Sequence, residues 1–221
     1  MPRAACSPQN VCLRMPAVLL LAAGASTRLG QPKQLLRYQG RTLLRRAAET
    51  AVQSAAGQPV VIVTGALHHE LLPELAGLPV HVVRCPEWER GMGASLKTGL
   101  AFLTTLVATP AAVVVLLCDQ PHVTPALVEQ LCATYRASGR PMVASEYQGV
   151  RGVPVLFGAE ALALLQQLPD AGGAGQLLKQ HPDLVATVPF PAGAVDVDTQ
   201  EQYAALLASG STDTSLHHRI S

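Results

Sequence analysis

The chain has 221 residues, a formal net charge of +1, 14% charged residues and 4% aromatic residues. This length suffices for one domain with a substantial core. The near-neutral charge and the scarcity of aromatic side chains argue against a nucleic-acid partner, and no apolar stretch is long enough to span a membrane.

Apolar, β-branched runs alternate along the chain with segments of helical periodicity. The predicted strands are Ala17–Leu21, Val60–Val63, Val80–Val83, Ala112–Leu117, Met142–Ser145, Val153–Phe157 and Leu184–Val188. The predicted helices are Thr42–Ala55, Leu67–Glu74, Gly93–Leu106, Pro125–Arg136, Ala159–Gln167, Gly175–His181 and Gln200–Ala208. This alternation predicts an α/β fold, a three-layer α/β/α sandwich around a mainly parallel, twisted sheet.

Residues 16–208 are therefore predicted to form a single domain, between a disordered N-terminal extension (1–15) and a disordered tail (209–221). The extension lacks the pattern of a signal peptide, and Met15 is an alternative start. The five cysteines have irregular spacing without a zinc pattern, which favours a reduced, cytoplasmic location. Cys118 lies at the end of an apolar strand and is predicted to be a packed thiol rather than a nucleophile.

The loop after the first predicted strand has the composition of a phosphate-binding loop. Small residues up to Gly24 let backbone N–H groups approach phosphate oxygens, and Arg28 and Lys33 add positive charge. The loop is not a P-loop, since Gly30 is followed by Gln31, and it lacks the G-x-G-x-x-G spacing. It predicts a site for the polyphosphate of a nucleoside triphosphate, with a plain strand-to-helix turn as the alternative.

An acidic residue follows the most hydrophobic predicted strand. Asp119 follows the strand Ala112–Leu117 after one further residue, Cys118, at a place where a carboxylate needs a partner. Hard carboxylate oxygens suit Mg²⁺, and a triphosphate can supply the other ligands. A helix cap is the alternative, but Thr124 followed by Pro125 already supplies one.

Two further acids, Asp196 and Asp198, precede the last predicted helix and would face the same side of an extended segment. Thr199 and Gln202 have the spacing of a capping box for that helix. The segment 91–96 also opens a helix, whose free N–H groups would attract an anion, unless it is only a simple N-cap.

The pattern L-A-A-G-x-S-x-R-x-G-x-x-K, at residues 21–33, resembles the signature of nucleotidyltransferases. It is most similar to the molybdenum cofactor cytidylyltransferases and other MobA-like NTP transferases. Three more segments match in the expected order: GMGASLKTGL at 91–100, LLCDQPHVT at 116–124 and VDVDTQEQY at 195–203. The resemblance covers about Ala17 to Leu207 and implies a Rossmann-like fold of the nucleotide-diphospho-sugar transferase type.

The resemblance implies a Mg²⁺-dependent transfer of CMP from CTP onto the phosphate of an acceptor, the molybdopterin cofactor, with release of pyrophosphate. A molybdoenzyme is then a candidate partner. Arg28, Lys33 and Asp119 would be catalytic, and Asp119 and Asp198 would hold the metal, while Asp196 either faces solvent or orients the loop. The implied nucleotide contacts are Leu21, Ala22, Ala23, Gly24, Arg28, Lys33, Gly93 and Ser95.

The acceptor side departs from the family pattern. A Gly-His-Pro turn of the relatives is Gly152-Val153-Pro154 here, and Ala171 and Gly175 stand where relatives carry Asp and Arg. A lost arginine removes a bidentate phosphate donor, for which Arg151 is a candidate replacement. Two alternatives remain open: a nucleotide-sugar glycosyltransferase that uses the D-V-D segment for its metal, and a non-catalytic carrier or chaperone for a cofactor.

Overall fold

The structure, a computed structural model, describes residues 15–26 and 29–213. Its strands are β1 (Ala17–Ala22), β2 (Arg37–Tyr38), β3 (Arg41–Thr42), β4 (Val60–Thr64), β5 (His81–Arg84), β6 (Ala112–Leu117), β7 (Met142–Tyr147), β8 (Val150–Gly158) and β9 (Val185–Pro189). Its helices are α1 (Leu43–Ala55), α2 (His68–Leu75), α3 (Met92–Leu106), α4 (Pro125–Ser138), α5 (Leu162–Gln166), α6 (Ala174–Gln180) and α7 (Gln200–Asp213). Every predicted strand and helix has a counterpart among them.

One seven-stranded sheet has the order β5-β4-β1-β6-β8-β7-β9. β1 pairs in parallel with both β4 and β6, and β7 pairs in parallel with β9. β8 runs antiparallel to both of its neighbours. The sheet is therefore mainly parallel, as predicted, and the carboxyl ends of β1 and β6 lie side by side at one edge.

Alternate residues of the central strands are buried on opposite faces of the sheet, as the period of two in a strand requires. Leu19 and Leu21 of β1 pack in a core with α3, α5 and α6, whereas Val18 and Leu20 pack in a core with α1, α2 and α4. Burial of each such leucine contributes about 1.5–3 kcal/mol. The three-layer α/β/α arrangement is thereby confirmed.

A short hairpin that the sequence analysis did not predict carries β2 and β3. Its turn residues, Gln39 and Gly40, both have positive φ angles, 51° and 80°. Tyr38 of the hairpin is buried in a third cluster that also contains residues just before and within α7; its members are Leu29, Leu36, Tyr38, Leu43, Val197 and Leu206. This cluster fixes the segment before α7 against the loop that follows β1.

Two helices begin directly after threonines that cap their N-termini. The Thr42 and Thr124 side chains accept hydrogen bonds from Arg45 N and Leu127 N, and Pro125 opens α4. α7 continues to Asp213, past its predicted end at Ala208 and into the segment predicted as a tail.

Residues 1–14 and 214–221 lie outside the described part of the chain. Within that part, none of the helices combines the length and the apolar content needed to cross a bilayer.

Candidate active site

The Lys33 ammonium lies between two carboxylates that are far apart in the sequence. Lys33 Nζ donates to Asp119 Oδ2 at 2.5 Å and to Asp198 Oδ1 at 2.8 Å. Burial opposes the charge on the lysine, but the Asp119 and Asp198 carboxylates outweigh this effect and raise the pKa of Lys33 above its ordinary value. Lys33 is therefore a permanent cation at the carboxyl edge of the sheet.

The loop before Lys33 is held by a buried amide side chain. Gln34 is 1% exposed, and its Nε2 donates to the carbonyl oxygens of Ala22 at 3.2 Å and Gly24 at 2.6 Å. Ser26 Oγ donates to Gln34 Oε1 and accepts from Lys33 N, with Ser26 itself at a φ of 57°. Gln34 therefore fixes the course of the glycine loop from behind, which leaves the front of the loop accessible.

Asp198 is positioned by the burial of its neighbour. Val197 is fully buried in the third cluster, and its N–H donates to Asp119 O at 3.3 Å. Burial of Val197 directs Asp196 and Asp198 away from that cluster, and the backbone contact ties them to the end of β6. The pairing of Asp198 with Lys33 thus follows from one apolar anchor.

The predicted capping box is present at the start of α7. Gln202 N donates to Thr199 Oγ1 at 3.3 Å, and Gln202 Oε1 accepts from the N–H groups of Asp198 and Thr199 at 2.8 and 2.9 Å. Gln202 Nε2 also donates to Asp196 Oδ1 at 3.1 Å. Of the two predicted roles of Asp196, the contacts match the one in which it orients this loop.

One oxygen of Asp119 is buried without a partner. Asp119 is 8% exposed and its Oδ2 contacts Lys33, but Oδ1 has no hydrogen-bond donor. A buried carboxylate oxygen in this state favours a cation at its free lone pairs. Asp119 Oδ2 and Asp198 Oδ1 both contact Lys33 Nζ, so two carboxylates with hard oxygen atoms lie close together at this place. No cluster of three or more candidate ligands (His, Cys, Asp or Glu) occurs in the described part of the chain.

A cavity of about 310 Å³ opens in front of the loop and is called the glycine-loop cavity here. Trp88 and Met92 also line this cavity. Gly65 leaves room for the indole, since a Cβ there would fall 2.7 Å from Trp88 Cγ. The predicted nucleotide contacts in its lining are Leu21, Ala22, Ala23, Gly24, Lys33 and Ser95, together with Asp119. The structure thus brings most of the predicted contacts into one space.

Gly93, another predicted nucleotide contact, is not among the residues that line this cavity. Its N–H donates to Asp170 O at 2.9 Å, and a Cβ at this position would fall 2.1 Å from Pro169 O. The Asp170 side chain in turn pairs with Lys97 and, at 2.5 Å, with Arg90. Lys97, on α3, thereby stabilises the contact between this helix and the loop around Asp170. Close backbone packing is therefore the observed reason for the glycine at position 93.

A second cavity, of about 210 Å³, lies on the other side of Asp119 and is called the Tyr147 cavity here. Asp119 and Leu117 line both cavities, and Gln120, Tyr147 and Asp196 belong to the second. Burial, together with the charges of Asp198 and Asp119, raises the pKa of Asp196. Two cavities therefore meet at the carboxylate that contacts Lys33.

Glycines make the space that Tyr147 occupies. A Cβ on Gly152 would fall 2.2 Å from Tyr147 Oη, and one on Gly193 would fall 2.6 Å from the tyrosine ring. The ring also packs edge-on against Phe190, with ring centroids 6.5 Å apart. The side chain is thus fixed, with its polar end at the wall of the cavity.

Comparison with known proteins identifies the family of this site. The model of the MobA-like NTP transferase domain matches residues 18–185. The chain belongs to the MobA-like NTP transferase family. The predicted family is thereby confirmed, and so is its enzyme class, nucleotidyltransferase.

Individual relatives of this MobA-like transferase carry different names. Nicotine blue oxidoreductase of Paenarthrobacter nicotinovorans is 34% identical over 86% of this chain and 95% of its own length. The probable molybdenum cofactor guanylyltransferase of Bacillus cereus (strain Q1) is 27% identical over 85% of this chain and 93% of its own length. The crystal structure of Rv0371c of Mycobacterium tuberculosis H37Rv, in complex with manganese, is 26% identical in sequence and superimposes with a TM-score of 0.66. The match covers 87% of this chain and 98% of the Rv0371c chain.

Two expectations about the MobA-like site concern arginines. Arg28 lies outside the described residues, so its predicted contacts with the nucleotide stay a prediction. Arg151, the candidate replacement for a lost phosphate ligand, donates to Pro182 O at 3.2 Å on the exposed surface. That contact directs its guanidinium to a backbone carbonyl rather than to the Tyr147 cavity, so the replacement is not seen.

Cys118 is a packed thiol in the structure, as the sequence predicts. Cys118 is buried, and burial together with the charge of Asp119 raises its pKa to about 12. The thiolate, which is the nucleophilic form, is therefore suppressed at neutral pH. Cys85 and Cys132 are also buried and unpaired. These three cysteines are packed side chains without disulfides.

Some site residues were missed by the sequence analysis. Gln34 is the main one, and its position directly after Lys33 in a polar loop carried no signal for burial. Trp88 is the only tryptophan of the chain and lies just before the segment 91–96, which is the one signal that could have drawn attention to it. Tyr147 was also missed, because its role depends on two glycines, one of them far away in the sequence.

Proposed function

We propose that this MobA-like transferase moves CMP from CTP onto the phosphate of a small-molecule acceptor of the molybdopterin type and releases pyrophosphate. The observation that carries the proposal is the convergence of Asp119 and Asp198 on Lys33 Nζ where two cavities meet. The glycine-loop cavity has the backbone and the cation that a triphosphate needs. The Tyr147 cavity would take the acceptor on the opposite side of Asp119.

A divalent ion fits this arrangement. Asp119 Oδ1 is buried without a partner, and the other Asp119 oxygen, Oδ2, shares its contact with Lys33 Nζ with Asp198 Oδ1. We propose that these two side chains hold Mg²⁺, with triphosphate oxygens as its further ligands. When bound, the ion would neutralise negative charge on the triphosphate.

The residues of the chain would act by positioning and by charge. A phosphate monoester has a second pKa near ~6 and is mostly ionised at neutral pH, so the acceptor needs no strong base. Its oxygen would form a bond to the α-phosphorus while the bond from that phosphorus to the bridging oxygen breaks, and pyrophosphate leaves with the electron pair. Lys33 would stabilise the charge that develops, and the glycine loop would hold the phosphates in line.

The choice of nucleotide and acceptor rests on the family resemblance. The relatives include one named for guanylyl transfer to the molybdenum cofactor, so GTP is the main competitor of CTP. The relative named as an oxidoreductase makes a nicotinamide cofactor a useful negative control. A cytoplasmic location is part of the proposal, since the substrates are intracellular metabolites.

The experiment is a pyrophosphate-release assay with CTP, GTP, ATP and UTP, each with Mg²⁺ or Mn²⁺ and with the molybdenum cofactor as acceptor. We expect release that depends on both metal and acceptor, is fastest with CTP, and is abolished in Asp119→Ala. A thermal-shift panel of the same nucleotides should rank them in the same order. The proposal fails if no nucleotide gives pyrophosphate or raises the melting temperature, or if NADPH stabilises the protein and the triphosphates do not.

A further inference from the structure

Residues 88–92, called the Trp88 segment here, lie between the end of β5 and the first turn of α3. All of them except Arg90 line the glycine-loop cavity. The segment has little regular structure of its own, a single 3₁₀ turn at Trp88–Arg90 in which Gly91 N donates to Trp88 O at 3.1 Å. Because so short a turn is weakly held by its own hydrogen bonds, the position of the segment depends on contacts with the rest of the protein.

The segment packs closely against residues 169–173, called the Asp170 loop here, which precede α6. A Cβ on Gly91 would fall 2.6 Å from Asp170 O, and one on Gly173 would fall 3.1 Å from Met92 Sδ. Gly91 also has a φ of 123°, in the region that favours glycine. The two backbones are therefore in direct contact, so a shift of the Asp170 loop would displace the segment.

Asp170 fixes this contact with both its backbone and its carboxylate. Its carbonyl oxygen accepts from the N–H groups of Gly93 at 2.9 Å and Ala94 at 3.3 Å, in the first turn of α3. Its carboxylate pairs with Arg90 Nη2 at 2.5 Å and also with Lys97 Nζ. One ion pair thus reaches the segment, at Arg90, and the other reaches α3, at Lys97.

These ion pairs differ from an isolated pair on the surface. The Asp170 side chain is only 20% exposed, and two cations share its carboxylate. Ion pairs on a protein surface contribute measurably mainly within such networks. Asp170, Arg90 and Lys97 all lie in the described part of the chain, and none of them lines the glycine-loop cavity. Any effect of this network on a ligand in the cavity is therefore indirect, through the segment that Arg90 belongs to.

We propose that Asp170 is a positioning residue for the nucleotide, because it holds the Trp88 segment at the glycine-loop cavity through Arg90 and Lys97. The inference rests on the proposed function, in which this cavity takes the nucleoside triphosphate. Without the carboxylate, binding of the triphosphate would also have to order the segment, and this cost lowers the affinity. The acceptor side should be unaffected, because the residues of the Asp170 loop, all of them described by the structure, do not line the Tyr147 cavity.

Fluorescence gives a readout that needs no ligand. Trp88 is the only tryptophan of the chain, so the whole indole signal comes from the segment. The test compares the wild type with Asp170→Asn, which keeps the size of the side chain but removes its charge. We expect acrylamide to quench Trp88 more strongly in the ligand-free variant, since the segment is less firmly held. Asp183→Asn, at an exposed position, is the matched control and should behave like the wild type.

Binding and turnover measure the consequence for the nucleotide. We expect Asp170→Asn to raise the Kd and the KM of CTP, with Mg²⁺ present, about 3- to 30-fold. The kcat at saturating CTP and the KM of the acceptor should stay within about 2-fold of the wild type, a split that a general loss of structure would not produce. Arg90→Met should reproduce the effect, and the double variant should be no weaker in CTP binding than either single variant, because both remove the same ion pair.

The role of Asp170 is overturned if Asp170→Asn matches the wild type in Trp88 quenching and in CTP affinity, or if kcat falls as much as nucleotide binding does. Failure of the proposed function is a separate result, namely that no triphosphate binds to the wild type. Unchanged quenching of Trp88 in Asp170→Asn would then still overturn the role of Asp170, and increased quenching would support its hold on the segment. If Asp170→Asn does not fold, Arg90→Met takes its place with the same expected results.

Discussion

The glycine-loop cavity and the Tyr147 cavity meet at Asp119 but are made of different chemical groups. The first has a permanent cation, Lys33, beside a loop of small residues that exposes its backbone. The described lining of the second contains charged groups of one sign only, Asp119 and Asp196, together with tyrosine and glutamine. Lys33 and the loop backbone can therefore contact an anion on the first side, although Asp119 and Glu89 also line it, whereas the second side has a cation only at the boundary near Lys33.

This difference bears on what the acceptor can be. The family pattern that the sequence resembles has charged residues at the positions of Ala171 and Gly175, and Arg151 contacts Pro182 O instead of the cavity. An acceptor with a single phosphate could place it at Lys33 and the metal, while neutral hydrogen bonds from Tyr147 and Gln148 bind the rest. A molecule with several negative groups would meet two carboxylates there. The Tyr147 cavity thus favours acceptors whose body is uncharged.

The largest effect should come from the carboxylate that both cavities share. Asp119→Asn keeps the shape of the side chain but removes the charge that faces Lys33 and the proposed metal. We expect kcat for pyrophosphate release to fall by at least about 100-fold, comparable to the loss of one preorganised electrostatic group in other enzymes. Asp183→Asn, at an exposed position, is the control and should keep wild-type activity. Activity within a few-fold of the wild type would remove Asp119 from the mechanism.

The second prediction concerns the cation on the glycine-loop side. In Lys33→Met the cation that contacts both Asp119 and Asp198 is lost, so the variant should be about 1–3 kcal/mol less stable in EDTA. Mn²⁺ should raise its melting temperature more than that of the wild type, because the ion can replace the lost charge. The kcat should also fall about 10- to 100-fold.

Lys179→Met is the matched control for this experiment, since Lys179 is an exposed lysine of α6. It should show neither the loss of stability nor the enhanced response to Mn²⁺. An equal response to Mn²⁺ in the wild type and in Lys33→Met would mean that the two carboxylates do not share an ion. The glycine-loop side would then lack the electrostatic character attributed to it here.

The third prediction tests whether the two cavities act independently. In Gly152→Ala the new Cβ would lie 2.2 Å from Tyr147 Oη, so the tyrosine must move. We expect a loss of about 1–3 kcal/mol in stability, which is typical of overpacking, and a several-fold change in the KM of the acceptor. The thermal shift produced by CTP should remain that of the wild type.

Gly175→Ala is the control for added volume, because nothing lies within 4 Å of a Cβ at that position. It should leave the acceptor KM and the stability nearly unchanged. If Gly152→Ala weakens nucleotide binding as much as acceptor binding, the two cavities are coupled through Asp119 and do not act independently.

Much of this architecture could be predicted from the sequence, because it depends on patterns within short segments of the chain. The run before Asp119 is apolar at every position, which is typical of a strand buried on both faces, and Asp119 ends it abruptly. Because parallel strands present their carboxyl ends at one edge, Lys33 and Asp119 could be expected to meet there. The capping box at Thr199 also fixed the start of the last helix correctly.

What could not be predicted depends on contacts between distant segments. Gln34 is buried because the glycine loop folds over it, and a polar residue in a polar loop gives no sign of this. The β2–β3 hairpin has only two residues in each strand, too few to show any periodicity. Arg46 differs from Arg45 only in the partner that each finds, and this cannot be read from a helical wheel.

The smallest expected effect is that of Tyr147→Phe, on the acceptor side of Asp119. Burial, and then the charges of Asp196 and Asp119, raise the pKa of Tyr147 above its ordinary value of 10.0, so the hydroxyl stays protonated as a donor up to at least that pH. Loss of this donor should raise the acceptor KM about 3- to 10-fold, by the same factor at pH 7 and at pH 9, and leave kcat nearly unchanged.

The raised pKa of Tyr147 also determines how the stability of the wild type changes with pH. Above pH 10.0 the unfolded chain ionises Tyr147 before the folded protein does, so the wild type loses stability relative to Tyr147→Phe as pH rises through that value. Below pH 10.0 the stability difference between the two proteins should be constant. Urea unfolding at pH 7, 9 and 10.5 measures it, with Tyr203→Phe as the control outside the cavity. A stability difference that already changes between pH 7 and 9, or an acceptor KM ratio that differs there, would mean that Tyr147 ionises early and that its acidic surroundings do not hold its proton.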